Sequence, residues 1–264
     1  MFIDTHTHLS NQDYDDVDLI VKNAVDNNVK YLIISCCSMD TIDEGIALAD
    51  KYPNIFLSIG LHPSEIFKYD SNDLEYIENI VKNNKKVVAI GEIGLDYHYI
   101  ENSSDKDLQK ELFIKQLDMA TRLSKPVVIH TREAVMDTLQ ILKENKVTKT
   151  GVFHCCPQNR ELIKEGLKLG FYISFAGPIT FKNSKNAEEM INLVPNDRIL
   201  IETDSPYLAP EPVRGTRNTP ANVKYIAQKI ADVKGLTLEE VEKITFENTK
   251  NILYISKLCN LPRI

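Results

Sequence analysis

Short apolar runs recur along the chain, each followed by a polar stretch, and eight of them can be marked out. They cover residues 2–6, 31–35, 55–60, 87–92, 127–130, 152–155, 171–175 and 199–203, starting about every 20 to 40 residues. Several, such as YLIIS, VVAIG, PVVIH and RILIET, are almost continuously apolar. Such runs suit strands covered on both faces, as in a parallel sheet. Helical signals lie between them. Over 107–123, Leu108, Leu112, Gln116, Leu117, Ala120 and Leu123 follow helical spacing. Thr219-Pro220 reads as an N-cap with proline at the first helical position, and Gly235 as the stop. Thr237 and Glu240 fit a capping box opening a last helix that carries Val241, Ile244, Ile252 and Ile255. Eight such alternations in 264 residues predict a single (β/α)8 barrel spanning 1–264. A doubly wound open sheet is the competing α/β arrangement, but Thr5-His6-Thr7-His8 stands where its Gly-rich turn would follow the first strand.

A barrel carries its active site at the C-terminal ends of its strands. The rare polar residues meet that demand. His6 and His8 end the first run, His62 follows the third, Glu92 ends the fourth, His130 the fifth, His154 sits in the sixth and Asp204 ends the eighth. Of six histidines only His98 lies elsewhere. Each residue alone has a plainer reading: a polar strand edge for His6 and His8, a buried ion pair for Glu92, a backbone-bonded core histidine for His130 and His154, a turn or cap for Asp204. Converging on one rim, nitrogen and carboxylate ligands of this kind suit divalent ions. Six ligands exceed one tetrahedral site, so two divalent metals (Mg2+, Mn2+ or Zn2+) sharing a carboxylate are expected.

Here the motifs can be matched. Ile3-Asp4-Thr5-His6-Thr7-His8, Gly60-Leu61-His62-Pro63, Gly91-Glu92-Ile93-Gly94-Leu95-Asp96-Tyr97, the block from Lys125 to Arg132, His154-Cys155 and Glu202-Thr203-Asp204-Ser205-Pro206 run in order along nearly the whole chain. In these the sequence resembles the TatD family of metal-dependent deoxyribonucleases, within the amidohydrolase superfamily. The resemblance implies an amidohydrolase-like barrel in which His6, His8 and Asp204 hold one metal, His130 and His154 the second, and Glu92 bridges. It implies Asp204 as general base and Glu92 as part of the catalytic centre. Two blocks depart from the family pattern, His154-Cys155-Cys156-Pro157-Gln158 and Arg217-Asn218-Thr219-Pro220. Both lie in loops that shape the substrate pocket.

His62 has no place in a six-ligand set and reads as a phosphate donor or proton shuttle. Arg132, Arg214 and Arg217 are the expected phosphate-binding arginines. Glu202 should support the site from below. Tyr97 and Tyr207 could stack on a base. Alternation points Cys155 away from His154, toward the helices, as an inert thiol.

The expected substrate is DNA, as single strands or strand ends, with no obligate protein partner. A net charge of −7 leaves no large basic face, although metals and a few arginines can still hold a nucleic acid. The alternative is an ester or amide hydrolase such as a D-aminoacyl-tRNA deacylase. A non-catalytic metal protein would have no use for both Asp204 and Glu92. No apolar run approaches the ~20 residues of a membrane span. With no secretory signal at the N-terminus and five cysteines that form no disulfide framework, a cytoplasmic location is expected.

Overall fold

A computed structural model describes residues 1–255; residues 256–264 of the expected domain, Cys259 among them, lie outside the described residues. All eight apolar runs contain strands: β1 (Phe2–Thr7), β2 (Val29–Cys36), β3 (Ile55–Ile59), β4 (Val87–Asp96), β5 (Val127–Arg132), β6 (Val152–Phe153), β7 (Tyr172–Phe175) and β8 (Ile199–Ile201). They pair in parallel, in chain order, as one sheet. Its two edges meet where Thr7 bridges Ser205. The His8 amide donates to the Ser205 carbonyl at 2.7 Å, and the Asp204 amide to the His6 carbonyl at 2.9 Å. The sheet is thereby a (β/α)8 barrel. Its helices are α1 (Val17–Asp26), α2 (Met39–Lys51), α3 (Ser71–Asn83), α4 (Ser103–Leu123), α5 (Val135–Glu144), α6 (Arg160–Lys168), α7 (Ala187–Leu193), α8 (Val223–Lys234) and α9 (Leu238–Leu253).

Burial on both faces divides the apolar residues between two clusters. The outer one joins strand residues such as Leu57, Ile90 and Ile129 to helix residues such as Ile77, Phe113 and Leu117. The inner one, with Ile3, Ile33, Phe56, Val88, Val128, Val152 and Leu200, fills the barrel. Side chains alternate along a strand, so the next inward position lies two residues on. There the chemistry changes: Ile33 is followed by Ser35, Phe56 by Ser58, Val128 by His130, Val152 by His154 and Leu200 by Glu202. The barrel floor is therefore apolar and its upper layer polar. β1 departs from parity, because its register against β2 slips between Asp4 and Thr7. That slip lets one strand give Ile3 to the floor and His6 and His8 to the rim.

The expected element ends need correction where tertiary pairing decides them. β4 continues past Glu92 to Asp96 and β5 past His130 to Arg132, held by the pairs Gly94↔His130 and Asp96↔Arg132. Glu92 and His130 thus lie within strands rather than at their ends. α4 begins already at Ser103. Pro220 opens a short 3-10 turn, Pro220–Asn222, before α8 starts at Val223. Gly235 ends α8 with φ 64°, and the Thr237–Glu240 capping box opens α9. α9 stops at Leu253, where Tyr254 turns to φ 54°. Ile255 lies beyond the helix, yet it is fully buried with Phe246, Ile252 and Leu253 in the inner cluster. No helix of the described residues is long and apolar enough to cross a membrane.

Candidate metal centre

Polar residues at the top of β1, β4, β5 and β6, and in the turn after β8, meet in one place. Around one point stand His6 Nε2, His8 Nε2 and Asp204 Oδ1, with 3.3 Å between the two nitrogens and 3.7 and 3.4 Å from them to Asp204. Beside it Glu92 divides its two oxygens. Oε2 faces His6 Nε2 at 3.4 Å. Oε1 faces His130 Nδ1 at 2.7 Å and His154 Nε2 at 3.1 Å. All six expected ligands are brought together, and His6, Glu92 and His154, like His6, His8 and Asp204, are spaced to hold a metal ion. The donors fit one. Two imidazole nitrogens facing each other at van der Waals distance cannot both donate. Among the described residues buried His6 Nδ1 has no partner, and Nε2 carries that ring's polar contacts.

The electrostatics follow from this crowding. Burial would raise the Glu92 carboxyl, but His154, His130 and His6 hold it well below its usual range. Burial likewise opposes ionisation of Asp204, and the hydrogen bond from His8 with the charges of His154, His6 and His8 outweighs it. Both are carboxylates at neutral pH. His154 is raised well above its ordinary value against the cost of burial, by Glu92 and Glu202. Glu202 supports it as expected from the sequence, with Oε1 2.9 Å from His154 Nδ1. A carboxylate there selects the tautomer that turns Nε2 inward as a lone pair. Asp96 does the same for His130, with Oδ2 3.1 Å from Nε2, leaving Nδ1 for the centre.

His62, Asp96 and His130 are also close enough to hold an ion, but the hydrogen bonding of His62 argues otherwise. The Ser64 amide donates to His62 Nδ1 at 3.1 Å. An amide cannot accept, so Nδ1 is the lone pair and Nε2 carries the proton. Burial lowers the pKa of His62 to about 4, which keeps the ring neutral. Its Nε2–H, 3.8 Å from Glu92 Oε1, is a fixed donor, neither a ligand nor an acid at neutral pH.

α4 sets this side of the barrel through two buried glutamines one heptad apart. Gln116 accepts from the Leu61 amide at 2.7 Å and donates to its carbonyl at 2.9 Å, next to His62. Gln109 clamps Asp96 in the same way, at 2.9 and 2.8 Å.

Above the centre opens a cavity of about 640 Å³, lined by His8, His62, Glu92, His130, His154, Asp204 and, at its rim, Arg132, Tyr99 and Tyr207. Arg214 and Arg217 do not line it. The Arg214 guanidinium lies 3.5 Å from the centroid of the Phe181 ring, and Arg217 donates to the Asp13 carbonyl at 2.5 Å. Tyr97 is tied to α5 by its hydroxyl, which donates to Asp137 at 2.7 Å. Cys155 corrects the alternation argument: β6 ends at Phe153 and the chain turns at Cys155 with φ 37°. Its thiol is raised by burial and by the charges of Asp204, Glu202 and Glu92, and the residue lines a separate small cavity with Cys156, Pro157 and Ile179. Cys156 is the one that packs in the outer core.

The family model described as TatD related DNase matches residues 3–254. The chain belongs to the TatD family. It is 41% identical over 258 residues to the metal-dependent hydrolase YabD of Bacillus subtilis (strain 168), covering 97% of this chain and 100% of the relative. It is 39% identical to the metal-dependent hydrolase YcfH of Escherichia coli (strain K12), covering 96% of each. Among solved structures, the TatD homologue YjjV of Escherichia coli K12 superposes with a TM-score of 0.87 at 26% identity, over 99% of this chain and 98% of that one. A TatD family hydrolase of Entamoeba histolytica gives 0.84 at 26% identity, over 95% and 97%. The chain is a metal-dependent hydrolase of this family.

Sequence reasoning about this TatD-family centre did not find Asp96, Gln109, Gln116, Tyr99 or Cys37, which helps to raise His8. Asp96 alone had a signal, its place in the Gly91–Tyr97 motif; the others act through contacts that no spacing announces. Two outcomes are expected. His8, His130 and His154 are each raised against burial by the groups facing them, so protons on these rings compete with a divalent ion. Metal loading should therefore release protons, and affinity should fall as the pH is lowered. Calorimetry in buffers of different ionisation enthalpy reads the count, and a value of zero would contradict the site. Gln116→Leu should cost about 1–3 kcal/mol per backbone group left unpaired. It should also lower turnover at unchanged metal content. A destabilised variant with normal turnover would show that the clamp serves the fold alone.

Proposed function

We propose that this chain is a two-metal phosphodiesterase that removes nucleotides from single-stranded DNA or strand ends. One observation carries the reading: Glu92 divides its oxygens between two donor sets, on the floor of a cavity that also holds an ionised Asp204 and a neutral His62 N–H. The family's description as DNases agrees with it.

In this reading His6, His8 and Asp204 would hold one divalent ion and His130 and His154 the other, with Glu92 available to both. When bound, the pair favours ionised water near neutral pH and offsets the charge that develops on the phosphoryl oxygens. Asp204 accepts the attacking water's proton. His62 donates Nε2–H to a non-bridging phosphoryl oxygen, and a neutral donor fixed in place costs no reorganisation as charge grows there. Arg132 offers its planar guanidinium to a phosphate at the rim. Arg214 and Arg217 would meet only a longer strand, beyond the cavity.

The test is digestion of end-labelled single-stranded DNA by metal-stripped protein reloaded with Mg2+, Mn2+ or Zn2+. A metal-dependent ladder supports the proposal and shows which end is attacked. Silence on DNA, with amino acid released from charged tRNA, would move the function to ester hydrolysis. Glu92→Ala should abolish turnover; near-normal turnover with metal still bound would sink the two-metal assignment. Asp204→Asn should lower kcat far more than it raises KM, because it removes the proton acceptor. A variant whose only defect is a raised KM would contradict that role.

A further inference from the structure

We infer that Tyr99 and Tyr207 are stacking platforms for the two nucleobases flanking the cleaved phosphodiester. The inference deepens the nuclease reading above and rests on it.

Both rings line the cavity over the centre, yet Tyr99 is 79% and Tyr207 58% exposed. An aromatic ring left open on a cavity wall presents apolar area for which the fold itself has no use. Neither ring is loose. The Arg132 guanidinium lies 5.4 Å from the Tyr99 centroid. His98 meets the same ring at 4.5 Å in a T-shape and is anchored to Glu133 at 2.6 Å. Tyr207 packs in a T-shape on His8 at 5.8 Å. Its amide donates to the Asp204 carbonyl at 2.9 Å, and its carbonyl accepts from buried Asn218 at 2.7 Å. A ring held in place while exposed loses little freedom when a flat ligand covers it.

Their positions match the symmetry of a phosphodiester. Tyr207 follows β8 and touches the ligand set of His6, His8 and Asp204; Tyr99 follows β4, on the side of Asp96, His130 and Arg132. A phosphate centred on Glu92 has one nucleoside on each side, and each base then meets one ring. Tyr97 cannot take this part, since Asp137 holds its hydroxyl and the Lys106 ammonium lies 4.6 Å from its ring centroid. With net charge −7 and one arginine in the cavity lining, affinity must come largely from contacts other than charge. Stacking supplies it without sequence preference, because every base has a π-face.

The experiment uses the metal-loaded enzyme and a single-stranded oligonucleotide, intact or with an abasic residue on either side of the cleaved bond. Tyr99→Ala and Tyr207→Ala should each raise KM by roughly 5- to 150-fold, the usual worth of one stacked base, with far less change in kcat. Tyr99→Phe, which removes only the hydroxyl, should lose much less. Each alanine variant should add no further loss on one of the two abasic substrates, a different one for each ring, while remaining additive on the other. Tyr76→Ala, on α3 with its hydroxyl 3.1 Å from Asp43, is the control and should behave as wild type. If wild type cleaves but the alanine variants keep its KM, or lose equally on all substrates, the platforms are overturned and the nuclease reading stands. If wild type neither cleaves the oligonucleotide nor quenches a 2-aminopurine base within it, both fall together.

Discussion

Glu92 is a carboxylate almost fully buried among imidazoles, and most of the upper barrel can be understood as what it takes to keep it there. An ionised carboxyl out of water needs compensating charge on every side. His154 supplies charge, His130 and His6 face it with ring nitrogens, and divalent ions would supply charge more strongly. The surrounding shape follows from that need. The strands must deliver four imidazoles and two carboxylates to one small volume, which a closed barrel does because its strands converge at a common rim.

The next ring of residues keeps those groups oriented. Glu202 and Asp96 each turn one histidine by accepting from the nitrogen facing away from the centre. They are placed in turn by deeper contacts. Glu202 accepts from Ser174 Oγ and the Cys155 amide, both at 2.5 Å, and Asp96 is clamped by Gln109. Two buried glutamines on α4 thus connect a covering helix to the backbone beside His62 and at Asp96. These paired contacts make the arrangement rigid, because displacing any of them leaves a desolvated donor or acceptor without a partner.

The rim works by looser rules. Arg132 and Tyr99 lie together at its edge, while Arg214 and Arg217 are engaged with Phe181 and the Asp13 carbonyl. Arginine type and sequence position could not separate these three, since all stand at or beyond strands whose ends form the rim. What separates them is that Arg132 ends β5 itself, while Arg214 and Arg217 lie in the long connection after β8. The same limit explains Cys155. Period-two reasoning holds while the chain is a strand, and it does not reach past Phe153, where β6 stops and the backbone turns.

How much was legible depends on whether a property is local. Burial on two faces makes a strand apolar throughout, so eight strands and a barrel could be read directly, as could the capping box at Thr237 and the glycine stop at Gly235. Histidines, a glutamate and an aspartate recurring at the ends of the apolar runs pointed to the donors that meet here, because chemistry in a barrel gathers at one rim. Strand ends at Asp96 and Arg132 could not be read, since each is decided by the partner strand. Nor could the division of Glu92's oxygens, the donor state of His62, or the clamps from Gln109 and Gln116. The sequence by itself determined the architecture and which residue types would meet. Only the tertiary structure decided which atom of each faces which, because hydrogen-bond geometry belongs to residues distant in the chain and adjacent in space.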